Sequence, residues 1–253
     1  MYKSDLSAQE WKLIEHHFQP KDNRGAKPKH DKHTIVNAIL YIIKTGAKWR
    51  MLPKDFPPWQ TVYDHYIYWN HHGVWEAVVD ELNSLYRKKD AKEAAPSYAI
   101  VDSQSVKTVS FSEERGFDGG KKIKGRKRHI VVDTLGNLIQ VVVHAANIHD
   151  TKSAAGVLES AATKHESIKA FSGDEGYRGT AVEFVEKTLG LKLHISKKIK
   201  DVFAVLPKRW IVERTFAWLG NFRRTSKDYE RLISSAENMV RIAMLRITIS
   251  KCT

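Results

Sequence analysis

The spacing of apolar residues changes near residue 96, and this change constrains the fold more than any other feature of the sequence. Before it, apolar residues recur every three or four positions, which is the period of amphipathic helices. After it, short runs rich in valine and isoleucine alternate with further helical stretches, a pattern typical of strands separated by helices. The sequence therefore predicts two domains, 1–95 and 96–253, joined by a linker over residues 91–96.

The N-terminal domain is predicted to be all-helical and helix-turn-helix-like. Ser7 and Glu10 have the spacing of a capping box for a first helix. Further helices are predicted over residues 31–45, 59–72 and 74–88. In a helix-turn-helix arrangement the 59–72 helix would read DNA through Gln60, Tyr63 and His65. A plain helical bundle with tryptophans in its core explains the same pattern, and its histidines match no zinc-site spacing.

The C-terminal domain is predicted to have a ribonuclease-H-like α+β or α/β fold, a mixed five-stranded sheet with flanking helices. The predicted order is three strands in a hairpin run, then helix, strand, helix, strand and helix. The strands are predicted at residues 98–101, 129–133, 138–144, 168–171 and 191–195, and the helices at residues 151–164, 181–189, 208–224 and 234–250.

Three acidic residues occupy positions that this fold would bring together. Asp102 is predicted at the end of the first strand, Asp174 after the fourth strand, and Glu213 on the 208–224 helix. Hard divalent cations such as Mg²⁺ prefer oxygen ligands, and two such ions about 3.5–4 Å apart can clamp the oxygens of a phosphodiester. Taken singly, each acid has another explanation. Asp102 and Asp174 could each serve only in a turn or a cap, and Glu175 is a rival to Asp174. Glu213 could form a simple ion pair with Arg209, four residues earlier on the helix.

Four segments resemble insertion-sequence transposases of the acidic-triad type, in the group built around insertion sequence five. They are VDSQSVKT, FSGDEGYRG, KRWIVERTFAWLGNFRR and GAKWRMLPKDFPPWQTVYDHYIYW followed by GVW. The resemblance implies that Asp102, Asp174 and Glu213 are catalytic metal ligands, with two Mg²⁺ ions or Mn²⁺ as a substitute. It also implies binding to terminal inverted repeats and strand transfer by a 3′-hydroxyl. Candidate supporting residues are Arg209, His149 and Tyr177.

Two positions depart from the pattern of these transposases. Relatives carry a tyrosine three residues before the arginine and a lysine seven residues after the glutamate, where this chain has Leu206 and Gly220. Arg223 or Arg224 is the candidate for the missing basic role.

The formal charge of +13 and the pI of about 9.6 indicate a polyanionic partner, and double-stranded DNA is the first candidate. The segment GGKKIKGRKRHI holds six positive charges within eight residues; it would order on phosphate contact, or else form a solvated hairpin entry. The predicted DNA-contacting cations are Lys107, Lys121, Lys122, Lys124, Arg126, Lys127, Arg128, Lys197, Lys198, Arg223 and Arg224.

The remaining sequence features limit the setting in which the protein works. No apolar run approaches the ~18 residues of a membrane span, and the N-terminus does not resemble a signal peptide. The single Cys252 fits a reducing cytosol. The resemblance to transposases implies a bacterial cytoplasm, with the protein associated with the nucleoid. Joining two element ends predicts a homodimer on DNA. The competing functions are a nuclease of the same fold without strand transfer and a non-catalytic DNA-binding regulator.

Overall fold

A computed structural model describes residues 2–19, 29–196 and 209–253, and within them a single mixed sheet carries helices on both faces. Five of its strands were predicted, and the short β2 was not. The strands are β1 (Tyr98–Lys107), β2 (Gly116–Asp118), β3 (Ile123–Asp133), β4 (Leu138–Ala145), β5 (Ala170–Gly173) and β6 (Lys192–Ile195). The predicted mixed sheet is therefore confirmed, with one additional strand.

The position of β1 in the sheet decides where the site lies. Strand β3 pairs antiparallel with β1, β2 and β4, whereas β1, β5 and β6 run parallel. Gly125 of β3 is paired with both Lys107 of β1 and Gly116 of β2, so β2 and β4 lie on the side of β3 away from β1. The spatial order is β4 and β2, then β3, β1, β5 and β6. Strand β1 is thus central.

Two strands are longer than the sequence pattern predicted. Strand β1 continues to Lys107, so Asp102 lies in its middle and the prediction that this residue ends the strand is wrong. Strand β3 begins at Ile123 instead of residue 129. Both extensions are rich in polar residues, which lack the apolar alternation that marks a strand. Six aligned residue pairs, from Asp102–Ile130 to Lys107–Gly125, join β1 to β3 along them.

Each predicted helix has a counterpart and, apart from the 208–224 helix, no end is shifted by more than two residues. The helices are α1 (Ala8–Ile14), α2 (Lys32–Thr45), α3 (Trp59–His71), α4 (Val74–Lys89), α5 (Asp150–Lys164), α6 (Thr180–Lys187), α7 (Arg209–Gly220), α8 (Arg223–Ser226) and α9 (Ile233–Cys252). The Ser7–Glu10 capping box is confirmed. The predicted 208–224 helix is interrupted: α7 ends at Gly220, and Phe222 adopts extended backbone before α8.

Two apolar layers cover the sheet. One face packs against α7 and α9, and Ile100 and Ile130 belong to that cluster. The opposite face packs against α5 and α6, and Val101 and Val131 belong to that cluster. Successive strand residues point to opposite faces, so Asp102 follows Ile100 onto the α7 side.

The N-terminal helices share the first of these clusters with α9. Helix α4 packs along α9, and a buried ion pair of 2.7 Å joins Arg87 of α4 to Asp133 of β3. Helices α2 and α3 are connected through residues 46–58, which include a short 3-10 helix, Trp49–Met51. This connection is longer than the 3–4-residue turn typical of helix-turn-helix units. Within the described residues, no helix combines the length and apolar character that a membrane crossing needs.

Candidate active site

Asp102 lies near the centre of the sheet and is largely removed from water. Its Oδ1 accepts a hydrogen bond of 2.7 Å from the backbone N–H of Ser103. Burial, together with the nearby carboxylate of Asp174, raises the pKa of Asp102 to about 7, against the opposing effects of the Ser103 N–H, Lys121 and Arg209. The negative form of Asp102 therefore lacks sufficient positive charge around it.

Asp174 follows β5 directly, as the sequence predicted. Its side chain caps a short 3-10 helix, Glu175–Tyr177, by accepting a 2.9 Å hydrogen bond from Gly176 N. Gly173 is required beside it, since a Cβ there would lie 2.9 Å from the ring of Tyr177. Tyr177 is buried, and burial together with Asp102, Asp150 and Asp174 raises its pKa well above the usual value. The phenol thus stays protonated beside the two aspartates.

Glu213 stands on the exposed face of α7. Its side chain is 50% exposed and pairs with Arg209 at 3.0 Å, one helical turn earlier. The opposite face of α7 buries Ile211, Val212 and Leu219, which fixes the direction in which Glu213 points. Gly220 is the last residue of α7 and is exposed. It occupies the position at which the related transposases carry a lysine.

Helix α7 packs across β1, so the sheet face that carries Asp102 lies against the helix that carries Glu213. Arg209 affects the pKa of Asp102 and pairs with Glu213, which places this arginine between the two acids. The ligand oxygens of the three acids do not all lie within 4.8 Å of one another in the described structure. A pair of ions spreads its ligands over two centres, so it does not require that spacing.

The donor set at this site fits hard divalent cations. Asp102 and Asp174 present carboxylate oxygens, the ligand type that Mg²⁺ prefers. Burial and mutual repulsion both penalise the charged form of Asp102, and a cation between the two carboxylates would offset both effects. The residues present therefore fit the metal that the acidic triad implies.

His149 has a structural contact different from the predicted supporting role. It is the N-cap of α5, where its ring Nδ1 accepts from Thr151 N, and its side chain is exposed. Asp150 is the first residue of the helix itself.

A buried polar cluster behind β1 was not predicted from the sequence. Asp150 Oδ1 accepts from Ser103 Oγ at 3.0 Å and from Lys127 Nζ at 2.9 Å, and it lies 3.6 Å from His129 Nε2. These contacts tie the start of α5 to the strand that carries Asp102. The only sequence signal was an acid between an apolar strand and a helix, which is also the pattern of an ordinary helix start.

Three of the predicted DNA-contacting cations are buried inside the protein. Arg126 and Arg128 are 0% and 2% exposed, and Lys127 is occupied by Asp150 and the Ile148 carbonyl. The expectation of a flexible segment that presents all of them to DNA is therefore wrong, because β3 extends through these positions. Arg224 is also largely buried, where it pairs with Glu230 at 2.7 Å.

The other predicted contact residues divide by exposure. Exposed side chains are those of Lys107, Lys121, Lys122, Lys124, Arg223, Gln60 and Tyr63. Lys121 approaches the site, with Nζ 3.4 Å from the Ser103 carbonyl oxygen. His65 is partly buried, stacked on Trp69 and 3.2 Å from Lys32 Nζ. Lys197, Lys198, Leu206 and the first predicted residue of the 208–224 helix lie outside the described residues.

Comparison with known proteins adds independent information. A family model described as a putative transposase of the IS4/5 family matches residues 6–79, and one described as a transposase DDE domain matches residues 93–247. The chain is 28% identical over 115 residues to a putative transposase for insertion sequence element IS402 of Burkholderia cepacia, covering 42% of this chain and 54% of that protein. It is also 28% identical over 127 residues to an uncharacterized 16.2 kDa protein of the same insertion element, covering 46% of this chain and 82% of that protein.

Proposed function

Because the chain belongs to the IS4/5-family transposases with a DDE domain, we propose that it cuts the ends of its insertion sequence and joins them to target DNA. The joining step would use the freed 3′-hydroxyl of the element strand. The observation that carries this proposal is the proximity of Asp102 and Asp174 on a central strand and its neighbour, beneath the helix that carries Glu213. Such a protein works where DNA is, which is the bacterial nucleoid.

Each residue of the site has a distinct role in this proposal. Asp102, Asp174 and Glu213 hold the divalent ions, and Arg209 orients Glu213 through their ion pair. When bound there, two Mg²⁺ ions would supply charge neutralisation for phosphodiester cleavage and joining. Tyr177, held protonated, supports Asp102 and Asp174 from behind. Lys121 lies at the rim of the site, where it can meet a DNA phosphate.

The partner is proposed to be double-stranded DNA, bound by a homodimer. The net charge of +13 supports an electrostatic contribution to binding, and the exposed lysines at 121, 122 and 124 lie beside the site. Two element ends must be processed together, so one protomer for each end is the simplest symmetric arrangement.

The proposal is tested by cleavage of a duplex that carries the element's terminal repeat, in the presence of Mg²⁺. We expect Glu213→Gln to bind this duplex and to cut it at least about a hundredfold more slowly, since a charged ligand is lost at the reacting centre. Glu175→Gln is the matched control: Glu175 is an exposed acid beside Asp174 that pairs with Arg178. It should cut like the wild-type protein.

A second assay separates transposition from simple cleavage. Duplexes that already end in the 3′-hydroxyl are incubated with a circular target, and joined products are counted. Joining by the wild-type protein supports the transposase function. Cleavage without joining would indicate a nuclease, and end binding without either activity would indicate a regulator.

A further inference from the structure

A groove with a volume of ≈ 620 Å³ lies between the N-terminal helices and the corner that follows α8. We call it the aromatic groove; its walls are residues 48–50, part of α3, Phe111 and the segment 229–235. Its size falls within the roughly 300–1,000 Å³ of ligand sites. Four exposed large apolar side chains meet here: Phe111 at 68%, Tyr229 at 41%, Leu232 at 42% and Tyr63 at 36% exposure. Clustering of such side chains usually marks a binding surface.

The two loops that carry Phe111 and Tyr229 are held in place by a buried arginine. Arg126 donates to Asp228 Oδ2 at 3.1 Å, to the Glu230 carbonyl at 3.1 Å and to the Arg231 carbonyl at 2.6 Å. Its Nε also donates to the Glu113 carbonyl at 2.8 Å, in the segment that carries Phe111. One guanidinium therefore fixes both loops of the groove, and a preorganised surface loses less entropy when it binds.

The charged side chains of the aromatic groove that lack an ion-pair partner among the described residues are positive. Lys48, Arg50 and Arg231 line it, and no carboxylate of the described residues forms an ion pair with any of them. The acid on its wall, Glu230, is buried and paired with Arg224. Arg50 lies over the Trp59 ring at 5.4 Å, so a cation and an aromatic face are presented side by side.

We propose that the aromatic groove binds unpaired nucleotides of a DNA strand. Bases stack on exposed aromatic rings, and phosphates pair with the surrounding cations. Bases inside a duplex cannot offer their faces to Tyr229 or Phe111, which is why the occupant is an unpaired segment. The positive charge without free acids favours a nucleic acid over an apolar protein partner. The source of the strand, a donor DNA end opened during cleavage, rests on the proposed function.

The groove lies within reach of the candidate active site. Thr108 is bridged to Asp228, and Tyr229 follows immediately. Six residues of extended chain separate Thr108 from Asp102, a distance of about 20 Å at ~3.3 Å per residue. A strand held at the triad can therefore enter the aromatic groove within a few nucleotides.

The test measures binding of a fluorescent oligothymidine of about 12 nucleotides to the full-length protein in EDTA. Removal of one stacking ring, by Phe111→Ala or Tyr229→Ala, should weaken binding about 5-fold to 100-fold. Tyr229→Phe keeps the ring and should bind within about twofold of wild type. Phe117→Ala is the matched control, because Phe117 is a 56% exposed phenylalanine on β2 outside the groove.

The outcomes separate this proposal from the proposed function. Binding is measured without metal or cleavage, so an inactive triad leaves the result readable, and thermal melts show that each variant is folded. Wild-type affinity in folded Phe111→Ala and Tyr229→Ala proteins would overturn the proposal. So would unchanged affinity together with loss of self-association by sedimentation, which would assign the groove to a protein partner.

Discussion

Arg126 is a fully buried cation that forms an ion pair with Asp228, and its hydrogen bonds fix the backbone of two loops. Removing one partner of a buried pair leaves the other charge without compensation, and this costs about 3–5 kcal/mol. We therefore predict that Arg126→Met lowers the free energy of unfolding by about that amount in urea titrations. Lys124→Met, two residues away at an exposed position, should change it by less than about 0.5 kcal/mol. An unchanged free energy of unfolding in Arg126→Met would show that the loops are held in some other way.

His129 makes stability depend on pH. Burial, together with the neighbouring His144, lowers its pKa to about 3. In the unfolded chain the pKa of this histidine is about 6.5, so the unfolded chain takes up a proton as the pH falls below that value. The stability that the neutral, buried His129 contributes is therefore present above pH ~6.5. It is lost as the pH falls, by up to ~1.4 kcal/mol per pH unit. We predict that His129→Gln flattens the slope of unfolding free energy between about pH 6.5 and 4.5. His71→Gln, at an exposed histidine, should keep the wild-type slope. A wild-type slope in His129→Gln as well would show that His129 is not the source of this pH dependence.

At the scale of elements, the sequence pattern predicted a helix over residues 208–224, and the described α7 buries Ile211, Val212 and Leu219. The same reasoning missed the second half of β1 and the first half of β3, because their inward residues are Ser103, Lys127 and other polar side chains. Spacing identifies a buried residue only when that residue is apolar. The acidic triad stays a prediction: the order of the elements, which the pattern did reveal, places its three acids on β1, after β5 and on α7. The Asp150 cluster depends on contacts between distant residues, which spacing does not encode.

The turn between β2 and β3 and the first residues of β3 carry exposed lysines that remain available to DNA. Lys122 and Lys124 are exposed, unlike the arginines that follow them. Replacing both with glutamine should weaken binding to all duplexes, and the slope of log affinity against log salt should fall by about 1.8, or ~0.9 for each lost phosphate contact. Fluorescence anisotropy between about 50 and 200 mM salt measures this. The matched control replaces two other exposed lysines, Lys152 of α5 and Lys187 of α6, with glutamine. Equal salt slopes in the two double variants would show that Lys122 and Lys124 do not contact DNA.

At the scale of the whole molecule, the N-terminal helices and the C-terminal helix form one apolar cluster. Trp75 of α4 and Met239 of α9 belong to it together with Ile130 of the sheet. Asn83 of α4 also donates to the Leu138 carbonyl at 2.7 Å. The sequence predicted a boundary at residue 95, and linker composition alone cannot reveal that apolar surface continues across it.

A fragment of residues 96–253 tests whether that boundary separates folding units. Without α2 and α4, the apolar side of α9 would be exposed, so we predict that the fragment shows no cooperative thermal transition. The full chain should unfold in a single transition by calorimetry. A folded fragment with its own sharp transition would show that the two parts are independent domains.

The central claim is that Asp102, Asp174 and Glu213 together hold the catalytic ions. The most direct measurement is an experimental structure of the protein bound to its element-end DNA, with Ca²⁺ in place of Mg²⁺. We predict cation density in contact with carboxylate oxygens of all three acids, beside a phosphodiester of the bound end. Cations held elsewhere, or a Glu213 that still pairs only with Arg209 in the DNA complex, would contradict it.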